Sequence, residues 1–149
     1  QAIPVPPPEQ VDLFVKSYGN IAITERQKFG IPASVMVASA ILMSDAGSSN
    51  VAKKANNFFS LPCTEDWKGF TMMEEGNCLR SYDNPWTSFR DFSLFLTTGQ
   101  NFRYRQLKSN DYESWARVLG SSDFHGIPHF EKALTRIIQK YNFQILDED

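Results

Sequence analysis

Apolar residues recur every three or four positions along most of this chain, and that spacing predicts helices. From Glu9 to Phe29 the stripe is Val11, Phe14, Val15, Tyr18, Ile21, Ala22 and Phe29. Gly30 suits a helix stop, and Pro32 suits the first turn of the next helix. The stretch from Pro32 to Ser44 is apolar nearly all round and rich in small residues. Such a segment predicts a central helix buried on most sides. Asp45-Ala-Gly-Ser-Ser-Asn50 breaks it, and Ser49 or Asn50 can cap a short helix from Val51 to Ala55.

Between Phe58 and Tyr82 the helical period is lost. Gly69 to Met73 and Cys78 to Tyr82 read as two short strands, with Glu74 to Asn77 as a four-residue turn. Asn84 or Asp83 then caps a helix to about Leu96, with Trp86, Phe89, Phe92, Phe95 and Leu96 facing inward. Pro85 fits its first turn. Asp111 to Leu119 predicts another helix, with Tyr112, Trp115, Ala116 and Leu119 inward. His129 to Tyr141 predicts the last, with Phe130, Ala133, Leu134, Ile137, Ile138 and Tyr141 in register. The expected fold is mainly α: about six helices and one small β-hairpin.

The length of 149 residues suits one domain. Four prolines in the first eight residues read as an extended tail or linker. A secreted chain after signal removal would begin this way, and so would a domain cut from a longer one. The expected organisation is a proline-rich tail over 1–8, one domain over 9–146 and a frayed acidic end over 147–149. A net charge of −2 argues against nucleic acid, whose binders usually carry a concentrated basic face. No apolar run reaches the roughly 18 to 20 residues that span a bilayer. The cysteines, Cys63 and Cys78, stand 15 positions apart. They read either as buried free thiols or as a bridge across the base of the hairpin. A bridge would imply an oxidising, extracytoplasmic compartment.

Six stretches, taken in order, carry a resemblance. They are Phe29-Gly-Ile-Pro-Ala-Ser-Val35, Ala40-Ile-Leu, Ala52-Lys-Lys-Ala-Asn-Asn-Phe58, Ser81-Tyr-Asp-Asn-Pro-Trp-Thr-Ser-Phe-Arg-Asp-Phe92, Asp111-Tyr-Glu-Ser-Trp-Ala-Arg117 and Leu134-Thr-Arg-Ile-Ile-Gln-Lys-Tyr141. Together they resemble the glucosaminidase domain of glycoside hydrolase family 73, the flagellar-muramidase-like and autolysin-like peptidoglycan hydrolases. The resemblance runs from about residue 11 to 146 and implies a lysozyme-like fold. The version in Bacteroidetes cell-wall glucosaminidases also has cysteines around the hairpin. That likeness implies a Cys63–Cys78 bridge and a periplasmic or cell-envelope setting.

Glycosidic cleavage needs a carboxylic acid that protonates the leaving oxygen. The family places it in a motif resembling Ala-Ile-Leu-Glu-Ser-Gly; here the text is Ala40-Ile-Leu-Met43-Ser44-Asp45. Met43 occupies the acid position, and a thioether has no proton to give. Asp45 lies two residues on, about 200° around a helix. The family's cleft tyrosine is matched by Phe124, which keeps the ring and loses the hydroxyl. Glu74 and Glu75 fall in the hairpin, where the family carries a second acidic residue; in a turn, such residues are also ordinary solvated surface. The resemblance implies a binding cleft formed by Met43, Ser44, Asn57, Phe59, Glu74, Tyr82, Phe124 and His125.

His125 and His129 are four apart, but Gly126 and Pro128 between them predict a loop and surface histidines rather than a metal pair. Neither a metal nor another cofactor is implied. Three functional expectations follow. The first is an inactive glucosaminidase-like domain of the bacterial envelope, holding peptidoglycan glycan or docking an envelope protein. The second is an active N-acetylglucosaminidase using Glu74, Glu75 or Asp45 as a relocated acid. The third is a protein–protein adaptor whose cleft is filled by Met43 and Phe124.

Overall fold

The computed structural model describes residues 5–98, 104, 106–122 and 125–149. Helix α1 spans Pro8–Phe29. It ends at Gly30, whose φ of 77° is the left-handed conformation glycine adopts freely. The Gly30 N–H returns to the Arg26 carbonyl at 2.8 Å.

Helix α2 (Ala33–Ser44) is the centre of the molecule. Eleven of its twelve residues are buried. Each fully buried valine or isoleucine here contributes about 1.5–3 kcal/mol, so the helix is held by packing rather than by its short length. It packs against α1, α5 (Tyr112–Gly120), α6 (Phe130–Tyr141) and a 3-10 turn at Phe143–Asp147. Pro32 sits one place earlier than its sequence context suggests, as the residue before the helix. Proline has no side-chain acceptor, so the first-turn N–H groups of α2 need one from elsewhere.

Asp147 supplies it. Its Oδ1 accepts the Ser34 N–H at 2.9 Å, and its Oδ2 accepts the Ser34 hydroxyl. The residue is 6% exposed. The frayed acidic end expected from sequence is therefore corrected: Asp147 is built into the core as a cap for a helix 113 positions earlier. Asp149 adds a 2.8 Å contact to Arg26, but it is exposed and adds little.

Helix α3 (Asn50–Ala55) is capped by Ser49, which accepts the Ala52 N–H at 3.1 Å. Strands β1 (Phe70–Glu74) and β2 (Asn77–Ser81) form an antiparallel hairpin, pairing Glu74 with Asn77 and Phe70 with Ser81. The expected four-residue loop is corrected to a two-residue turn, Glu75-Gly76, with φ of 50° and 84°. Positive φ at both positions suits the right-handed twist of the strands. Helix α4 (Pro85–Thr97) is capped by Asn84, which accepts the Thr87 N–H at 2.9 Å. Its Phe89, Phe92 and Leu96 are buried as the spacing predicts, and Phe95 is half-buried. Trp86 departs from the stripe and is 62% exposed. Its place in the first turn lies beyond the packed face. Asp111 caps α5 through the Ser114 N–H. His129 precedes α6 in the left-handed conformation.

Cys63 and Cys78 form a disulfide, with their Cα atoms 5.5 Å apart. It does not cross the hairpin base. Cys78 lies one pair from the turn, and Cys63 runs along the free edge of β2, beside the Pro62–Leu79 bridge. The bond thus ties a third extended segment to the hairpin.

Two predictions follow from these anchors. Burial pushes the Asp147 carboxyl above the usual aspartate range, against the opposing effect of the Ser34 hydrogen bonds. Its contribution to stability is full below the unfolded value of about 3.9 and is lost as pH rises through the higher folded value. Asp147→Asn, which keeps an acceptor for Ser34, should therefore gain in Tm relative to wild type as pH rises across that window. Asp147→Ala should cost about 1–3 kcal/mol in chemical denaturation. Replacing both cysteines by serine should lower stability by about 2–4 kcal/mol in the same assay.

Candidate cleft beside the hairpin

The segment after α3 carries the motif Ala55-Asn56-Asn57-Phe58, and its asparagines organise the backbone. Asn57 is 1% exposed. Its Nδ2 donates to the Leu61 carbonyl at 3.0 Å and the Arg80 carbonyl at 2.9 Å. Its Oδ1 accepts the Leu61 N–H at 3.0 Å. One amide thus ties the loop to β2. Asn56 adopts φ 54° and donates to the Tyr82 carbonyl at 2.9 Å.

Behind the hairpin, Arg80 is 8% exposed. It donates to the Pro62 carbonyl at 2.9 Å, to Asp91 at 2.8 Å and to Thr64 at 3.0 Å. Its guanidinium lies 4.7 Å over the Trp67 ring. The Tyr82 hydroxyl donates to the same Asp91. Burial, then that carboxylate, push the Tyr82 phenol far above its ordinary range, so it stays protonated as a donor. This network anchors the hairpin to α4.

The anchored elements enclose a groove of about 520 Å³. One side is Val51, Ser60 and Pro62 with the β2 residues Cys78 and Leu79; Glu74, Glu75 and Asn77 edge it at the turn. The opposite wall is His125, Gly126 and Ile127. His125 Nδ1 accepts the Ile127 N–H at 2.9 Å, which puts the ring proton on Nε2, 2.8 Å from the Leu119 carbonyl. The ring packs against Phe130 with centroids 4.4 Å apart. Both nitrogens are engaged with backbone. Among the described residues, no group of three or more His, Cys, Asp or Glu side chains is placed to hold a metal.

The structure divides the expected cleft residues. Glu74 and His125 line the groove, as does Glu75. Glu74 is half-buried, and its carboxylate accepts a 3.1 Å hydrogen bond from Asn50. Met43 is the single residue of α2 that is not buried. Its carbonyl accepts a 3.4 Å hydrogen bond from Ser60, a groove residue. Phe124 lies outside the described residues.

Four expected cleft residues are corrected to structural ones. Ser44 is fully buried; it donates to the Ala40 carbonyl and accepts the Gly47 N–H, closing the end of α2. Asn57 is the loop organiser described above. Phe59 is fully buried and stacks on Phe92 at 4.1 Å. Tyr82, 8% exposed, faces Asp91 and Trp67. Among the possible relocated acids, Asp45 is exposed at φ 52°, with its carboxylate bound by the Ser48 hydroxyl at 2.9 Å. Glu75 is exposed in the turn. Among the described residues, no apolar pocket encloses either one. In the sequence Asn50 reads only as a possible helix cap, and Ser60, Arg80 and Asp91 carry no functional pattern of their own. Their one visible signal is proximity to the Asn-Asn and Tyr-Asp stretches.

A family model described as Glucosaminidase, mannosyl-glycoprotein endo-beta-N-acetylglucosaminidase, matches residues 19–143. The chain is 26% identical to exo-glucosaminidase LytG of Bacillus subtilis, over 94% of this chain and 56% of that protein. It is 24% identical to peptidoglycan hydrolase FlgJ of Vibrio parahaemolyticus, over 85% of this chain and 46% of that protein. It thus spans about half the length of these two curated relatives. A crystal structure of a Staphylococcus aureus N-acetylmuramoyl-L-alanine amidase superposes with a TM-score of 0.81 at 26% identity, covering 96% of this chain and 44% of that one. A peptidoglycan hydrolase from Sphingomonas sp. A1 shares the fold at a TM-score of 0.74 and 23% identity, covering 90% of this chain and 91% of that one. With a match across most of its helices, on a mainly helical fold with one hairpin that it shares with peptidoglycan hydrolases, this chain belongs to the glucosaminidase family.

Proposed function

We propose that this is a catalytically inactive glucosaminidase-family domain that holds peptidoglycan glycan in the bacterial envelope. One observation carries the reading. The only position of α2 that escapes burial is held by Met43, where the family resemblance puts the acid. A central helix wrapped on every other side has no second position from which to present a proton donor. Neither Asp45 nor Glu75 is enclosed, and Glu74 is hydrogen-bonded to Asn50 at the groove edge. A general acid is typically a carboxyl buried in apolar surroundings. Among the described residues, none of these three is buried in such surroundings.

The groove itself supports glycan holding over a filled, adaptor-like cleft. Its 520 Å³ is within the range of small-molecule sites, and its lining mixes carboxylate, amide and imidazole groups with apolar ones. An oxidised Cys63–Cys78 pair fits a periplasmic or extracytoplasmic location, in line with the Bacteroidetes-type placement of these cysteines.

Incubation with purified peptidoglycan, pelleting, and assay of the supernatant for new reducing ends tests the reading. The protein should co-pellet and release none. Release of reducing ends by the wild-type chain overturns it, and Glu74→Gln, Glu75→Gln and Asp45→Asn then identify the acid. Met43→Glu alone should remain far below the activity of intact family enzymes, because Phe124 and the hairpin are unchanged. Robust cleavage by that single variant would mean that the acid is the sole missing part.

A further inference from the structure

A second groove lies between α1 and α4, and it shares no residue with the first. It measures about 540 Å³ and is lined by Asn20, Ile21, Thr24, Glu25, Lys28, Trp86, Thr87 and Arg90. Trp86 is the side chain that leaves the packed stripe of α4, and its indole is 62% exposed on the groove wall. A large exposed indole in a concave site invites an apolar contact.

The polar groups of the groove are selectively spent. Glu25 is 4% exposed and fully engaged. Its Oε1 accepts Arg90 Nε at 3.0 Å and the Ser93 hydroxyl at 2.8 Å, and its Oε2 accepts Arg90 Nη2 at 3.0 Å. The Thr24 hydroxyl donates to the Asn20 carbonyl, and the Thr87 hydroxyl donates to Asn84. The charges that stay available in the groove are cationic, with the exposed Asn20 amide beside them. Lys28 is exposed, and Arg90 Nη1 makes no hydrogen bond to a described residue. The bidentate pair with Glu25 and the Phe29 ring 5.1 Å away hold the guanidinium in place.

We propose that this groove is a docking site for a peptide carboxylate flanked by an apolar side chain, such as the C-terminus of a partner protein. The carboxylate would lie against Arg90 and Lys28, and the apolar side chain against Trp86 and Ile21. A neutral sugar fits less well. It offers no anion to Lys28 and Arg90, the groove's cationic groups. The proposal is independent of whether the first groove holds glycan.

Isothermal titration of the full chain with an acetylated tetrapeptide ending in Leu-Phe tests it. With a free C-terminal carboxylate, the expected Kd is on the order of 0.1–1 mM. The C-terminal amide of the same peptide should bind at least about tenfold more weakly, the loss of roughly one charge-assisted contact. Trp86→Ala and Lys28→Gln, both at exposed positions, should each weaken the acid peptide while leaving Tm within a few degrees. The Trp86 indole N–H resonance, assigned from Trp86→Phe, should shift with the acid peptide. Equal binding of acid and amide, absence of binding, or a Trp86 shift produced instead by an N-acetylglucosamine oligomer would each overturn the proposal. Arg90 is left intact in these variants, because its removal would strand the buried Glu25 carboxylate.

Discussion

The structure depends on enclosing one helix. α2 has almost no polar side chains with which to face water, so it is stable only when wrapped on every side. That demand explains why α1, α5, α6 and the closing 3-10 turn all converge on it. It also explains the use of Asp147. A buried helix start preceded by proline would leave backbone donors without partners, a cost comparable to several weak contacts. A carboxylate from the far end of the chain meets them. The C-terminal segment and the central helix are thereby joined through one buried cap.

Enclosure of α2 also shapes the first groove. With eleven positions buried, only Met43 reaches the part of the surface next to Ser60. The groove is then built outward by polar organisers rather than by the core. Asn57 holds the loop to β2, Arg80 and Asp91 hold the hairpin to α4, and His125 holds the opposite wall to the end of α5. These side chains fix the shape of the groove by tying loop and hairpin to the helices.

The two grooves differ in the state of their polar groups. Beside the hairpin, Glu74 and Glu75 stand at the edge and the wall is backbone and imidazole, a surface with acceptors for hydroxyl-rich ligands. Between α1 and α4, the carboxylate is consumed by Arg90 and Ser93, and cations remain. The two grooves thus differ in the sign of their available charge.

Much of this was legible in the chain. Helical spacing and local caps gave the elements to within a residue or two, because Gly30, Ser49, Asn84 and Asp111 act on their own neighbours. The apolar run of α2 announced its burial, because a segment with so few polar side chains has no face to turn to water. What tertiary structure alone decided was which side chains stay in contact with water. Asn57, Phe59 and Tyr82 sit in motifs that look functional, but partners from β2 and α4 bury them. Trp86 belongs to an apolar stripe, but no element covers it. Asp147 looked like a loose end until Ser34 claimed it from 113 positions away. Local rules reach only about one helical turn, whereas burial is set by segments that the sequence places far apart.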